Sequence, residues 1–174
     1  WNKDVIFTIA TRDMNKIATQ SILISANINN LQNVLVVKGD NLTRTNSNLI
    51  KTVNDFSPTN LISSIQGMNK GQDYKGETFH PASNLCPGGV VDVARALDEE
   101  IKLTQKKISS GAEYIISQPT FNIERVNRFM ELYTKQFGIA FPVPFFQGIQ
   151  LLSKGGTHFG GIPDRVKEEL RTGR

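Results

Sequence analysis

Cysteine is almost absent from this 174-residue chain, in which Cys86 stands alone. A single thiol excludes an intrachain disulfide and any metal site built from several cysteines. Histidine is nearly as scarce. His80 and His158 are the only two, and their separation is not a metal-ligand spacing, so no metal is expected. No apolar run approaches the roughly 18 residues of a membrane span. Neither GxGxxG nor GxxxxGK occurs, and Lys154-Gly155-Gly156 is only a fragment of a phosphate loop. Charge of neither sign forms a block: 20 Lys and Arg against 16 Asp and Glu leave a net +4, with a pI near 9.3. That excess is spread along the chain, which excludes the basic tail of a nucleic-acid binder. Trp1-Asn2-Lys3-Asp4 has no signal-peptide character, and with the lone thiol this points to a reducing, cytoplasmic setting. The chain opens without Met and enters a strand almost at once, as expected of a processed or excised piece.

Hydrophobic residues make up 39% and charged residues 21%, which suits one globular domain over residues 1–174. Short apolar runs alternate with longer amphipathic stretches. Val5–Ala10 reads as a strand and Asn15–Asn29 as a helix, with Asp13 as a candidate N-cap. Val34–Val37 is the second strand and is followed by a long polar loop, Asn41–Asn54. Pro58–Asn69 reads as a helix with proline in its first turn. Phe79–Leu85 is a weaker strand, and Pro87-Gly88-Gly89 a turn. Asp92–Ser109 is the longest helical pattern. Tyr114–Ser117 is a strand and Ile123–Phe137 a helix. Phe141–Leu152 holds a fifth strand, and Pro163–Leu170 a short helix. About five βα units predict an α/β fold with a parallel sheet. Periodicity leaves an open doubly wound sheet and a closed barrel both available. A complete eight-unit barrel needs about 200 residues or more.

In parallel α/β folds, functional groups gather at the carboxyl ends of strands. This selects Thr11, Arg12 and Asp13 after the first strand and Lys38, Gly39 and Asp40 after the second. It selects Asn84 and Cys86 after the third, Ser117 and Gln118 after the fourth, and Gln147 and Gln150 near the fifth. Asp40 is either a turn or cap residue, or a carboxylate that tunes a bound heterocycle. Gln118 both donates and accepts, as a pterin or flavin edge requires, or else anchors a loop. Lys106 and Lys107 suit a helix C-terminus. Cys86 has no His or Asp arrangement to make it a nucleophile.

Several stretches, taken in order, resemble the methylenetetrahydrofolate reductase family. Thr11-Arg12-Asp13-Met14-Asn15 with Ile17-Ala18-Thr19-Gln20-Ser21 is similar to the family's TCRDRN segment and the LQS helix after it. Asn33 through Asp40 is close to NVLALRGD. Gly111 through Pro119, followed by Phe121, resembles GADFIITQPFFD. Weaker matches are Leu61-Ile62 with Gly71-Gln72-Asp73, the Phe79–Pro87 stretch, Gly148-Ile149 and Gly161-Ile162-Pro163-Asp164. The similarity is greatest to the branch sometimes fused to a homocysteine methyltransferase domain.

The resemblance implies a TIM-type (β/α)8 barrel, incomplete in this chain, with FAD at its carboxyl face. The activity it implies is flavin-dependent reduction of 5,10-methylenetetrahydrofolate to 5-methyltetrahydrofolate, with hydride from NAD(P)H or another donor. That would place the protein in one-carbon metabolism and methionine biosynthesis. On this resemblance Asp40 is the catalytic residue, acting electrostatically on flavin and folate. Gln118 binds folate, and Thr8, Lys38, Gly39, Cys86, Glu100 and Lys107 stand at cofactor-contacting positions.

Departures are part of the pattern. Thr8 replaces a usual His, Cys86 a common Asn or His, Leu103 an Asn, and Leu151 a Pro; the Thr157–Gly161 stretch is short. The family's FEFFPP strand, whose Glu is the proposed general acid, has no counterpart here, nor does the last barrel strand. Those strands are expected in further sequence, or on a homo-oligomeric or other partner subunit that completes the barrel. The alternative function is a non-catalytic folate-binding module, or a degenerate barrel that acts with a partner methyltransferase.

Overall fold

The structure is a computed structural model that describes residues 3–42, 49–153, 155–156 and 162–173. Lys154, His158, the rest of 157–161 and the middle of the polar loop (43–48) lie outside the described residues. Among the described residues five strands alternate with five helices: β1 (Ile6–Ala10), α1 (Lys16–Ile28), β2 (Asn33–Val37), α2 (Pro58–Asn69), β3 (Cys86–Val91), α3 (Leu97–Ser109), β4 (Tyr114–Ser117), α4 (Ile123–Phe137), β5 (Phe145–Phe146) and α5 (Asp164–Thr172). The strands follow one another across the sheet in chain order. The pairs β1·β2, β2·β3 and β4·β5 are parallel. This is the α/β architecture expected from the alternating pattern. No helix of the described residues is long and apolar enough to cross a membrane.

The chain divides into two compact units: Trp1–Gly89 with Lys106–Glu113, and Val90–Gln105 with Tyr114–Arg174. In the first unit, alternation along β2 buries Val34 and Val36. Leu61, Ile62, Ile65 and Met68 recur at helical spacing on α2 and are fully buried. Each such side chain contributes about 1.5–3 kcal/mol by leaving water. Helix α1 adds Leu23 and Ala26. In the second unit, Phe129 and Tyr133 on α4 are fully buried. They stack with Phe141 and Phe145, the Tyr133–Phe141 centroids lying 4.8 Å apart and the Phe129–Phe145 centroids 6.2 Å apart. The Tyr133 hydroxyl donates to Gln105 Oε1.

Three expectations need correction. The N-cap of α1 is Asn15, whose Oδ1 accepts from Ala18 N at 2.8 Å; Asp13 is instead paired with Arg12. Helix α3 begins at Leu97, because Asp92 to Ala96 turn the chain. The third strand is Cys86–Val91 and not Phe79–Leu85, so Pro87-Gly88-Gly89 runs as strand, Val34 opposite Pro87 and Val36 opposite Gly89. Pro and Gly are poor strand formers. Pairing with β2 and the burial of Pro87, Gly88 and Gly89 override that preference, since tertiary context outweighs strand propensity. Residues 79–85 form a loop held by Asn69. Its Oδ1 accepts from Ser83 Oγ (2.7 Å) and Leu85 N (2.9 Å), and its Nδ2 donates to Leu85 O (2.7 Å).

Candidate functional site

The carboxyl ends of β1 and β2 and the start of α2 border an open cavity of about 470 Å³, all within the first unit. Its walls include Arg12 from the end of β1, Lys38, Gly39 and Asp40 from the end of β2, and Phe56, Ser57 and Pro58 at the entry to α2. Five of the residues singled out in the sequence, Thr11, Arg12, Lys38, Gly39 and Asp40, therefore come together here. Gly39 adopts φ +84°, a region that costs a side-chain-bearing residue roughly 1–2 kcal/mol. A Cβ at Gly39 would also lie 3.1 Å from Arg12 Cβ. The glycine thus turns β2 into the cavity and lets the Arg12 side chain pass over it.

Arg12 organises this end of the unit. Its Nε and Nη2 donate to the two carboxylate oxygens of Asp13, the second at 2.9 Å, and its Nη1 donates to the backbone carbonyl of Asp40 at 2.5 Å. The hydrogen bond from Arg12 holds the Asp13 carboxyl below its ordinary range. The same bond, assisted by the charges of Asp13 and Asp40, holds the guanidinium protonated. The Arg12 carbonyl accepts from Val53 N (2.8 Å) and Asn54 N (3.3 Å), which draws the segment before α2 onto the strand end. Lys16 Nζ lies 5.4 Å from the centroid of the buried Phe56 ring. Ser57 caps α2 by accepting from Asn60 N at 3.2 Å, and Pro58 occupies the first turn. The positive end of the helix dipole therefore borders the cavity. No described residue donates a hydrogen bond to the Asp40 carboxylate, and the residue is exposed.

The other predicted residues lie elsewhere. Thr8 is midway along β1, opposite Leu35 and exposed. Cys86 opens β3 opposite Asn33, the first residue of β2, so it stands at the amino end of the strand and not at the carboxyl end. This corrects its expected location, and the cause is the shift of the third strand. Burial, and the charge and hydrogen bond of Glu113, push its thiol from an ordinary 9.0 up to about 11. Lys107 is buried in the last turn of α3.

In the second unit Glu100 is 4% exposed. It accepts from Arg95 Nη1 at 3.1 Å and from Asp92 N at 3.3 Å. Its carboxylate thus closes the turn between β3 and α3. Gln118 directly follows β4, and its backbone N donates to Val91 O at 2.7 Å. Gly148 crosses close to this strand end. Its N donates to Ser117 Oγ at 3.0 Å, and a Cβ there would sit 2.4 Å from Ser117 O.

Two residues organise the strand ends in ways the sequence reading did not assign: Arg12 was selected only by its place after a strand, and Arg125 was not selected. Arg12 carried a signal, since it follows a strand, but its partners are up to 42 positions away, from Arg12 to Asn54. Arg125 carried none: its Nε donates to Val93 O at 2.7 Å and its Nη2 to Arg95 O at 2.8 Å, bracing the turn after β3.

No curated protein matches the chain. A family model described as methylenetetrahydrofolate reductase matches residues 2–155, which include both the cavity and Gln118. With that match covering most of its length, the chain belongs to the methylenetetrahydrofolate reductase family.

Proposed function

We propose that this chain carries the flavin- and folate-handling face of a reductase that converts 5,10-methylenetetrahydrofolate to 5-methyltetrahydrofolate. FAD is its cofactor, and NAD(P)H or another donor is the source of hydride. The observation that supports this reading most is the 470 Å³ cavity at the ends of β1 and β2, walled by Lys38, Gly39 and Asp40, in a chain of this family. Its volume lies in the range of small-molecule sites.

The lining suits FAD chemically. Lys38 offers positive charge, and the start of α2 the positive end of its helix dipole, both of which favour a pyrophosphate. Gly39 presents backbone without a Cβ. When bound, FAD supplies hydride transfer between donor and folate. Asp40, with its carboxylate exposed at the cavity wall, orients the folate and sets the electrostatics around the reacting ring. Gln118 donates to and accepts from a pterin edge. Cys86 is not part of this assignment, since it sits at the amino end of β3.

Separate titrations with FAD and with methyltetrahydrofolate test the reading. FAD binding, followed by bleaching of the flavin absorbance when methyltetrahydrofolate is added, is the expected result. Folate binding without flavin binding would instead indicate a non-catalytic folate module. Binding of neither would indicate a degenerate barrel.

A further inference from the structure

We propose that Arg12 is the positioning residue for Asp40, holding the Lys38-Gly39-Asp40 loop by its backbone so that the Asp40 carboxylate meets the folate at one place. This rests on the role assigned to Asp40 above. Three of the five guanidinium donors are committed: two to the Asp13 carboxylate and one, at 2.5 Å, to the Asp40 carbonyl. The side chain lies across Gly39, where a Cβ would be 3.1 Å from Arg12 Cβ and 3.5 Å from its Nε. The Arg12 backbone carbonyl also receives Val53 N and Asn54 N, so one residue ties the ends of β1 and β2 to the segment that enters α2. A planar fork satisfies Asp13 and the Asp40 carbonyl together, whereas the point charge of lysine does not. Because the bond is to the Asp40 backbone, Asp40→Asn leaves it intact while removing the charge that Arg12 serves.

The test is a double-mutant cycle in the FAD-loaded full chain, with Arg12→Gln and Arg12→Lys each made alone and on Asp40→Asn. The readouts are the kcat of methyltetrahydrofolate oxidation, the Kd of FAD by fluorescence quenching and the Kd of methyltetrahydrofolate. Each Arg12 variant alone is expected to lower kcat by about 10-fold or more through misplacement of Asp40, with the FAD Kd changed less than about 3-fold. On Asp40→Asn, the further loss is expected to stay below about 2-fold, because the two residues act as one unit. Should Arg12→Gln fail to fold, the Arg12→Lys arm carries the cycle. Losses that multiply in full on Asp40→Asn, wild-type rates in both Arg12 variants, or a FAD Kd that rises in step with the fall in kcat would each overturn the role of Arg12 and leave the functional reading standing. An unmutated protein that takes up FAD but does not oxidise methyltetrahydrofolate overturns both.

Discussion

At the scale of single residues, backbone geometry makes the strongest demands. Gly39→Ala forces a Cβ into a left-handed conformation at φ +84° and against Arg12 Cβ at 3.1 Å. A loss of about 1–2 kcal/mol is expected from the conformation alone, seen as a lower Tm, together with weakened FAD binding. Cys86 makes a pH prediction of definite sign. Its folded thiol titrates near 11 against an ordinary 9.0, so the protonated form is favoured by folding. That contribution is fully present below pH 9 and is lost as pH rises through about 11. Alkylation by iodoacetamide should therefore rise with a midpoint near 11, and a midpoint at or below 9 would contradict the burial of Cys86 beside Glu113. Asp40 and Gln118 stand out in the sequence because Asp40 comes three residues after β2 and Gln118 directly after β4, each inside a contiguous motif. Arg12 was not legible as a site organiser, because its partners at Asp40, Val53 and Asn54 meet it only in the fold.

At the scale of elements, α2, β4 and α4 have the bounds read from the sequence. Each carries an unambiguous signal: Ser57-Pro58 at a helix start, a run of apolar residues in Tyr114–Ser117, and Asn122 and Gly138 as the two caps of α4. The third strand was misread because proline and glycine signal a turn when no partner is in view. The residues that do precede it, 79–85, form an irregular loop whose backbone finds its partner in the Asn69 carboxamide. Asn69→Ala would leave the N–H and C=O of the buried Leu85 without that partner. An orphaned buried group costs about 1–3 kcal/mol, so a loss of roughly 2–4 kcal/mol in denaturant unfolding is expected. An effect below about 0.5 kcal/mol, typical of exposed positions, would contradict it. Gly148 is a comparable fixture in the second unit. An alanine there overlaps Ser117 O at 2.4 Å, so Gly148→Ala should disturb the strand end that carries Gln118 and weaken folate binding more than FAD binding.

At the scale of the whole molecule, the family assignment and the five parallel strands alternating with helices identify the fold as the (β/α)8-barrel type, with five βα units among the described residues. The alternation of short apolar runs with amphipathic stretches reached only the α/β class. Periodicity cannot distinguish a closed barrel from an open sheet, since both bury parallel strands beneath helices. Ordered motif resemblance supplied what periodicity could not, and the family match over residues 2–155 bears out that resemblance. For function, the claim to test is that Asp40 works on a folate beside a bound flavin. Asp40→Asn is expected to slow folate turnover by about 10-fold or more while leaving FAD affinity within about 3-fold, the pattern of an interaction made chiefly in the transition state. Gln118→Glu is expected to raise the KM for folate, read in the same assay. The most direct measurement is the rate at which the FAD-loaded protein oxidises methyltetrahydrofolate with an artificial electron acceptor, compared with its Asp40→Asn variant. The account predicts a yellow protein with folate-dependent turnover that falls in the variant; a colourless protein, or turnover indifferent to Asp40, would contradict it.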